Sequence, residues 1–214
     1  MASRTATTAA ASTCIVCNAP TTTSRRLGSS EIKSALAAYF EAASASALDV
    51  SDYEIKVCET CGLEHALPMQ SGDAAFYAWV TSQDGYYPKS RWEFTPVMER
   101  IESAAATGPV NVLDVGCGGG DFLSRLQGQP GIRAMGLDTT PRSVERCRTR
   151  GLTAECADIE GFRDLRPGEL FDFVCTFHCI EHVEDPLSLV ASMVSLTRPG
   201  GLVVISAPLS PMSF

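Results

Sequence analysis

From residue 110 onward, short apolar segments alternate with segments that carry helix start and stop signals. The apolar segments predict buried strands at residues 110–116, 132–138, 152–158, 171–177 and 201–208. Helices are predicted between them at 120–127, 140–151 and 185–201, the last with Asp185 at its cap and Pro186 in its first turn. Strands and helices that alternate at this spacing predict an α/β fold with a doubly wound, mostly parallel sheet.

The chain before residue 110 has a less regular pattern. Ala-rich residues 31–44 predict a short helix, and the alternating residues 52–58 predict a strand. Residues 71–108 predict a helical connector, with Thr95 at a helix cap and Pro96 at the first helical position. We therefore divide the chain into a disordered tail at 1–13, a cysteine module at 14–70, a connector and lid at 71–108 and an α/β domain at 109–214.

Composition and charge narrow the classes of function. The 214 residues are 45% hydrophobic and 20% charged, which is ordinary for a globular protein. The net charge of −8 argues against nucleic acid or an anionic membrane surface as the main partner, because phosphate binding needs basic patches. No apolar run approaches the roughly 18 residues of a membrane span, and the tail lacks the apolar core of a secretory signal. We expect a cytoplasmic protein, with a fragment of a transit peptide as the alternative for the tail.

The nine cysteines divide into two groups. Cys14, Cys17, Cys58 and Cys61 form two C-x-x-C pairs, and four thiolates are the ligand set of a closed structural zinc site. An iron–sulfur centre and a reduced set without metal are the alternatives, whereas a disulfide framework is not expected without a secretory signal. The other five cysteines stand singly among apolar residues, where cysteine behaves as a small hydrophobe.

The first predicted strand runs into a glycine-rich turn. Asp114, Gly116, Gly118 and Gly120 stand at alternate positions ahead of a predicted helix. The G-x-G-x-x-G spacing of dinucleotide sites is not met, because residue 121 is aspartate, and Asp114 would repel a pyrophosphate. The acid instead suits a ligand with a positively charged amino group that approaches the glycine backbone.

With this D-x-G-x-G-x-G motif the chain resembles the class I S-adenosylmethionine-dependent methyltransferases. The resemblance implies a Rossmann-like sheet that binds S-adenosylmethionine, or its product S-adenosylhomocysteine, at the carboxyl ends of its strands. Asp138 ends the second predicted strand, where an acid can accept the ribose hydroxyls of a nucleoside. The resemblance further implies that Asp158 bonds the adenine amino group and that Ile159 lies beside it.

Three further residues are candidates for the donor site. Phe177, at the end of the fourth strand, would line the pocket of the donor. Arg91 or Tyr86, in the aromatic stretch DGYYPKSRWEF, would meet the carboxylate of the donor as part of a lid. A surface for helix packing is the alternative role of this stretch.

The segment HCIEH at residues 178–182 fits H-x-x-E-H, the pattern of inverzincin metallopeptidases. That chemistry needs both histidines on one face of a continuous helix. Here a predicted strand ends at Phe177 and the next predicted helix begins at Asp185, so only a loop or one short turn fits between them. The pattern therefore argues against a peptidase.

Three roles remain open for His178, Glu181 and His182. A histidine would act as a general base for the methyl acceptor, with His182 slightly favoured over His178. The three side chains would otherwise form a weak metal site that orients substrate hydroxyls, or they would only brace the loop. Similar E-H pairs occur in ubiquinone-type O-methyltransferases and in sugar C-methyltransferases, which the chain resembles here.

The cysteine module ahead of a class I domain also resembles a group of bacterial sugar and natural-product methyltransferases. We therefore predict methyl transfer to oxygen or carbon of a small molecule, such as a nucleotide-linked sugar or another biosynthetic intermediate. The alternative is a truncated or degenerate domain that scaffolds a partner through its zinc module, and RNA modification is a third interpretation.

The number of predicted strands departs from the family pattern. The resemblance implies seven strands, whereas five are predicted, so we expect the last two strands to be lacking. An open sheet edge would then be available for a dimer or a partner chain to cover.

Overall fold

The computed structural model describes residues 13–84, 86 and 91–208. The chain divides into two compact units, Met1–Tyr87 and Pro88–Phe214. This division passes through the predicted connector at 71–108. Residues 1–12 of the predicted tail and much of the predicted lid lie outside the described residues.

The first unit is built on a three-stranded antiparallel sheet in the order β1-β2-β3. Its strands are β1 (Thr21–Leu27), β2 (Tyr53–Cys58) and β3 (Glu64–Leu67), and its helices are α1 (Ser29–Tyr39), a 3-10 turn (Ala43–Ala47) and α2 (Ala74–Val80). The predicted helix at 31–44 and the predicted strand at 52–58 are confirmed as α1 and β2. Few apolar side chains are buried in this unit, so its core alone contributes little stability.

The second unit is a parallel five-stranded sheet with helices between its strands, which confirms the predicted fold class. The strands are β4 (Val110–Val115), β5 (Ile132–Asp138), β6 (Ala154–Cys156), β7 (Phe171–Phe177) and β8 (Thr197–Ser206). The helices are α3 (Phe94–Ala105), α4 (Asp121–Leu126), α5 (Pro141–Thr149), α6 (Ile159–Leu165) and α7 (Pro186–Ser195).

In the strand order β6-β5-β4-β7-β8, the direction in which successive strands are added to the sheet changes at β4. The chain moves outward from β4 to β6 and then returns to place β7 on the other side of β4. In open parallel sheets, ligands bind outside the carboxyl ends of the strands at such a switch point. The topology therefore indicates a ligand site at the carboxyl ends of β4, β5 and β7.

Both faces of the central strand are covered. Val110 and Val112 pack in a cluster with side chains of α3 and α4, whereas Leu113 and Val115 pack with side chains of α6 and α7. Because neither face meets water, the strand has a nearly continuous apolar sequence. None of the described helices has the length and apolarity needed to cross a bilayer.

Predicted boundaries of four elements, β8, α7, α3 and β6, were wrong. Strand β8 begins at Thr197, and α7 ends at Ser195 rather than continuing to residue 201. Pro199 is tolerated within β8 because, among the described residues, β8 is an edge strand. In addition, the pairing of β8 with β7 shifts register near Phe171. Helix α3 is capped at Glu93 rather than at Thr95. Strand β6 has three residues, because the rest of the predicted segment lies outside the ladder with β5.

Candidate functional site

The glycine-rich turn after β4 has a backbone that only glycine adopts easily. Gly116, Gly118 and Gly120 have φ angles of 73°, 52° and 81°. A Cβ on Gly116 would lie 2.6 Å from Sγ of Cys179, and a Cβ on Gly120 would lie 2.5 Å from Cδ1 of Leu152. All three glycines are thus favoured by their φ angles, and Gly116 and Gly120 also by close packing.

Asp114 is the penultimate residue of β4, beneath this turn, and is 2% exposed. Its Oδ1 has no hydrogen-bond partner within the described part of the chain. Burial, followed by the negative charge of Asp138, raises the pKa of Asp114 to about 8, while Arg91 opposes this shift. A buried carboxylate without a partner is costly, and such groups are concentrated at functional sites. A ligand amino group would supply the missing donor.

Asp138 ends β5 and lies against the glycine turn. Its Oδ2 accepts a hydrogen bond from the backbone N–H of Gly118 at 2.9 Å, and its Oδ1 accepts one from Thr140 at 2.8 Å. The structure thus brings together the two predicted acids, Asp114 and Asp138, with the predicted glycines at one edge of the sheet.

Three other predicted donor contacts also serve the fold. Oδ1 of Asp158 accepts the backbone N–H of Gly161 at 2.7 Å and so caps α6. Ile159 is buried in the core. Phe177 packs against Phe94 and Phe122, with ring centroids 4.8 Å and 4.7 Å away. Their roles toward a donor stay predictions.

The segment after β7 holds a histidine between two carboxylates. His178 Nε2 lies 2.8 Å from Oε1 of Glu93, and its Nδ1 lies 3.4 Å from Oε1 of Glu181. His178 has a left-handed φ of 52°, and its backbone N–H donates to the carbonyl of Ser206. Glu93 was not predicted as a site residue, because nothing in the sequence pairs a residue before α3 with one that lies 85 positions later.

The rest of this segment is a single 3-10 turn, Ile180–His182. This confirms the expected short turn, and the absence of a continuous helix here excludes the inverzincin arrangement. His182 ends the turn and is exposed. Arg91 lies near this cluster, with Nη1 3.7 Å from Oε1 of Glu93. Tyr86 belongs to the first unit, and its predicted contact with the donor stays a prediction.

A family model described as a methyltransferase domain matches residues 89–213, which is more than half of the chain. The chain belongs to this family. The resemblance to class I S-adenosylmethionine-dependent methyltransferases is therefore confirmed. The match covers the second unit and, with it, the glycine turn and the cluster of His178, Glu93 and Glu181, called the His178 cluster below.

Two curated relatives are ubiquinone biosynthesis O-methyltransferases. The protein of Methylococcus capsulatus is 37% identical over 115 residues, which cover 51% of this chain and 48% of the relative. The protein of Bordetella bronchiseptica is 34% identical over 111 residues, which cover 49% and 45%. The chain thus spans about half the length of the curated relatives it matches.

A solved structure has the same fold as the methyltransferase domain. The plantazolicin methyltransferase BpumL, in complex with a pentazolic desmethylPZN analog and SAH, aligns with a TM-score of 0.50 and 19% identity. The alignment covers 62% of this chain and 53% of that chain. At this identity the likeness establishes the fold alone.

Outside the methyltransferase match, the first unit brings its four predicted metal ligands together. The Sγ atoms of Cys14, Cys17, Cys58 and Cys61 all lie within 4.8 Å of one another. The Cys14–Cys61 and Cys17–Cys58 pairs are separated by 3.6 Å and 3.4 Å. Four sulfurs about 2.3 Å from a tetrahedral zinc ion would be about 3.8 Å apart. The cluster therefore has nearly the dimensions of a zinc site.

The two C-x-x-C pairs have matching backbone turns. The N–H of Asn18 donates to the carbonyl of Cys14, and the N–H of Gly62 donates in the same way to Cys58. Asn18 and Gly62 both have left-handed φ angles. The backbone N–H of Cys61 is the leading cause that lowers the pKa of Cys58 to about 6. The pKa of Cys14 is lowered in the same way, first by the backbone N–H of Cys17, so both first cysteines favour the thiolate that binds metal. The pKa values of Cys17 and Cys61 are raised despite backbone N–H donors, because neighbouring thiols and burial oppose those donors.

No other group of three or more His, Cys, Asp or Glu side chains in the described ranges is close enough to share a metal ion. His178, Glu181 and His182 therefore do not converge on a cation site in this structure.

Proposed function

We propose that this protein is an S-adenosylmethionine-dependent methyltransferase that acts on a small-molecule acceptor. One observation carries the proposal: the buried carboxylate of Asp114 has an oxygen without a partner beneath a turn of left-handed glycines. A dinucleotide would bring a pyrophosphate toward this acid, whereas the donor brings an ammonium group. The electrostatics therefore favour the methyl donor over NAD.

The residues of the site divide the recognition of the donor between them. Asp114 would pair with its amino group, and the left-handed glycines would let it approach the backbone. Asp138 would accept its ribose hydroxyls through lone pairs that the N–H groups of Gly118 and Thr140 leave unused. When bound, S-adenosylmethionine supplies a methyl group that its sulfonium charge already activates.

Asp158 and Ile159 would face the adenine, Phe177 would support the pocket, and Arg91 or Tyr86 would meet the donor's carboxylate. For Arg91, the support is electrostatic, because its charge acts on Asp114.

For the acceptor, we favour a hydroxyl group of a small biosynthetic intermediate, such as a phenol or a nucleotide-linked sugar. Both curated relatives carry names of O-methyltransferases. A hydroxyl oxygen becomes a better nucleophile when a histidine takes its proton, and the His178 cluster offers such a base. Transfer to an acidic carbon would use the same base.

Isothermal titration calorimetry tests the donor site directly. S-adenosylmethionine and S-adenosylhomocysteine should both bind the full chain with one equivalent, while NAD should give no heat. A folded protein that gives neither heat nor a thermal shift at millimolar donor would contradict the proposal. Methyl transfer is then assayed with catechol and a thymidine-diphosphate sugar as probe acceptors.

We also propose that the four cysteines bind one structural zinc ion. With all four positions filled by thiolates, the ion would fold the first unit rather than take part in catalysis. Elemental analysis of protein purified without chelator should give about one zinc per chain. Less than half an equivalent of zinc, or one equivalent of iron with a visible charge-transfer absorption, would refute the zinc site.

A further inference from the structure

We propose that Glu93 is a positioning residue that holds His178 in the tautomer with its proton on Nε2. Nδ1 is then left with its lone pair and takes the proton of the methyl acceptor. The inference rests on the proposed methyl transfer and deepens it, because it selects His178 as the base and assigns a role to Glu93.

The contact between Glu93 and His178 is short and shielded. The Oε1–Nε2 distance is 2.8 Å, and the side chains are 13% and 29% exposed. Burial alone would raise the pKa of Glu93, yet its own backbone N–H, His178 and Arg91 together lower it. Glu93 is therefore an ionised acceptor, and an ionised acceptor at Nε2 requires a proton on that nitrogen.

The other ring nitrogen is available to a substrate. Nδ1 lies 3.4 Å from Oε1 of Glu181, which exceeds the usual N–H···O range of about 2.7–3.2 Å. A hydroxyl group placed beside Nδ1 would donate its proton to the lone pair of that nitrogen. Among the described residues, no group of three His, Cys, Asp or Glu side chains around His178 is close enough to share a metal ion, which favours proton transfer over metal binding.

The backbone also holds His178 in place. Its φ of 52° is a left-handed conformation that is costly for most residues other than glycine. The hydrogen bond from its backbone N–H to Ser206 fixes this conformation between β7 and the 3-10 turn. Backbone and ring are thus oriented before any substrate arrives, whereas His182 is exposed at the end of the turn.

In the proposed reaction, transfer of the methyl group to the acceptor is accompanied by removal of the acceptor's proton. As the acceptor oxygen bonds the methyl carbon, the carbon–sulfur bond breaks and its electron pair stays on the sulfur of the S-adenosylhomocysteine that leaves. The acceptor proton passes to Nδ1, and Glu93 and Glu181 stabilise the resulting imidazolium before it returns the proton to water.

Nitrogen-15 NMR of the histidine rings tests the tautomer without any acceptor. The chain has three histidines, so His178→Gln identifies the signals of His178. In the wild type, neutral His178 should carry its proton mainly on Nε2. In Glu93→Gln, both tautomers should be populated, because the ionised acceptor at Nε2 is lost. Glu93→Asp should recover most of the wild-type behaviour.

The matched control is Glu99→Gln, which removes an exposed carboxylate from the same helix. Arg91, Glu181 and His182 also face or adjoin His178 and are unchanged in every variant, so the difference reports Glu93 alone. A wild-type proton on Nδ1, or a Glu93→Gln spectrum equal to that of Glu99→Gln, would overturn the proposal.

Kinetics with S-adenosylmethionine and catechol give a second readout. Glu93→Gln should lower kcat by roughly 10- to 100-fold, part of the ~10²–10⁴ that general-base catalysis contributes. Glu93→Asp should recover most of this kcat, while the donor Kd changes less than about twofold in both variants. A loss of kcat that Glu93→Asp does not recover would indicate a purely structural Glu93 and would count against the proposal. Failure of the wild type to bind donor would instead refute the proposed function, and the NMR result would still decide the role of Glu93.

Discussion

Asp114 is a residue at which binding and stability oppose each other. Its pKa rises from 3.8 to about 8 on folding, mainly because it is buried. The folded carboxyl group therefore binds its proton more tightly than the unfolded one. The stability gained from this proton is fully present below about pH 4 and is lost as the pH rises through about 8. Asp114 must lose this proton to pair with an ammonium group, so the stability that the proton contributes is lost when the ligand binds.

Replacing Asp114 with asparagine should separate the two effects. In the donor-free protein, Asp114→Asn should raise Tm at pH 9, where the wild type holds a buried charge, and should have a smaller effect at pH 5. The same variant should bind S-adenosylhomocysteine at least ~10-fold more weakly, because it loses a charge-assisted hydrogen bond worth about 1.5–3 kcal/mol. Thermal unfolding and calorimetry measure the two quantities.

Asp164→Asn is the control, since it removes an exposed carboxylate of α6 whose ion pair with Arg163 contributes little. Weaker ligand binding without a gain in Tm at high pH would mean that Asp114 is already ionised and satisfied in the free protein.

At the scale of elements, the ends of β4 and β7 are held together by close packing at one glycine. Gly116 combines a left-handed φ with a neighbouring thiol, Cys179, that leaves no room for a Cβ. Gly128 also has a left-handed φ, but a Cβ there would meet nothing within 4 Å. A comparison of Gly116 with Gly128 therefore separates the conformational cost of adding a side chain from the steric cost.

Gly128→Ala should therefore destabilise the protein by about 1–2 kcal/mol, the cost of a left-handed alanine. Gly116→Ala should cost about 1–3 kcal/mol more, because overpacking adds to that term. Adding Cys179→Ala should recover only part of the steric cost, because the Cβ that alanine keeps would still lie 2.8 Å from the new Cβ at residue 116. Chemical denaturation measures the free energy of unfolding of each variant. Equal losses in Gly116→Ala and Gly128→Ala would mean that the junction of β4 and β7 rearranges to make room for the Cβ at no measurable cost.

The two cysteine turns are the elements that the first unit depends on most, because few apolar side chains are buried there. Cys58→Ser removes one thiolate of the proposed zinc site and should unfold β1, β2 and β3 together, as metal-dependent modules do. Cys156→Ser is the matched control, since this exposed cysteine lies outside the cluster. Loss of amide protection in residues 13–67 upon hydrogen exchange should be seen in the first variant alone. Retained protection in Cys58→Ser would show that the unit folds without its metal.

The sequence revealed the elements whose burial leaves a pattern. Strands β4 and β7 are buried along most of their length and β5 in its second half, and all three were predicted nearly to the residue because such strands are largely apolar. Strand β1 was missed since its residues, TTTSRRL, are almost all exposed and carry no alternation. Strand β8 was predicted to start too late because Pro199 and the glycines after it are typical of a helix stop.

The candidate site was predictable only in part, for a related reason. Asp114, the glycines and Asp138 stand at strand ends, where local sequence spacing fixes their positions. The contact of Glu93 with His178 depends on how α3 packs beside β7, and no spacing along the chain encodes it. The raised pKa of Asp114 likewise depends on burial and not on the motif.

At the scale of the whole molecule, the charge distribution bears on the partners. The chain carries 25 acidic and 17 basic residues, and many of its basic side chains lie against carboxylates. The pairs Arg150–Asp121, Arg166–Glu155, Arg198–Asp172 and Arg26–Glu54 are examples from both units. A basic side chain already paired with a carboxylate must give up that partner before it can neutralise a phosphate.

We therefore expect no substantial binding of nucleic acid, including by the cysteine module. Fluorescence anisotropy with a labelled single-stranded RNA should give a Kd weaker than ~10⁻⁴ M at physiological salt, beyond the weak end of non-specific binding. Lowering the salt should change this little, because few counterions are released when few phosphates are contacted. A micromolar Kd that weakens steeply between about 50 and 200 mM salt would contradict this expectation. If a zinc chelator then abolished the binding, the cysteine module would be the RNA-binding surface, and the acceptor would have to be sought in RNA.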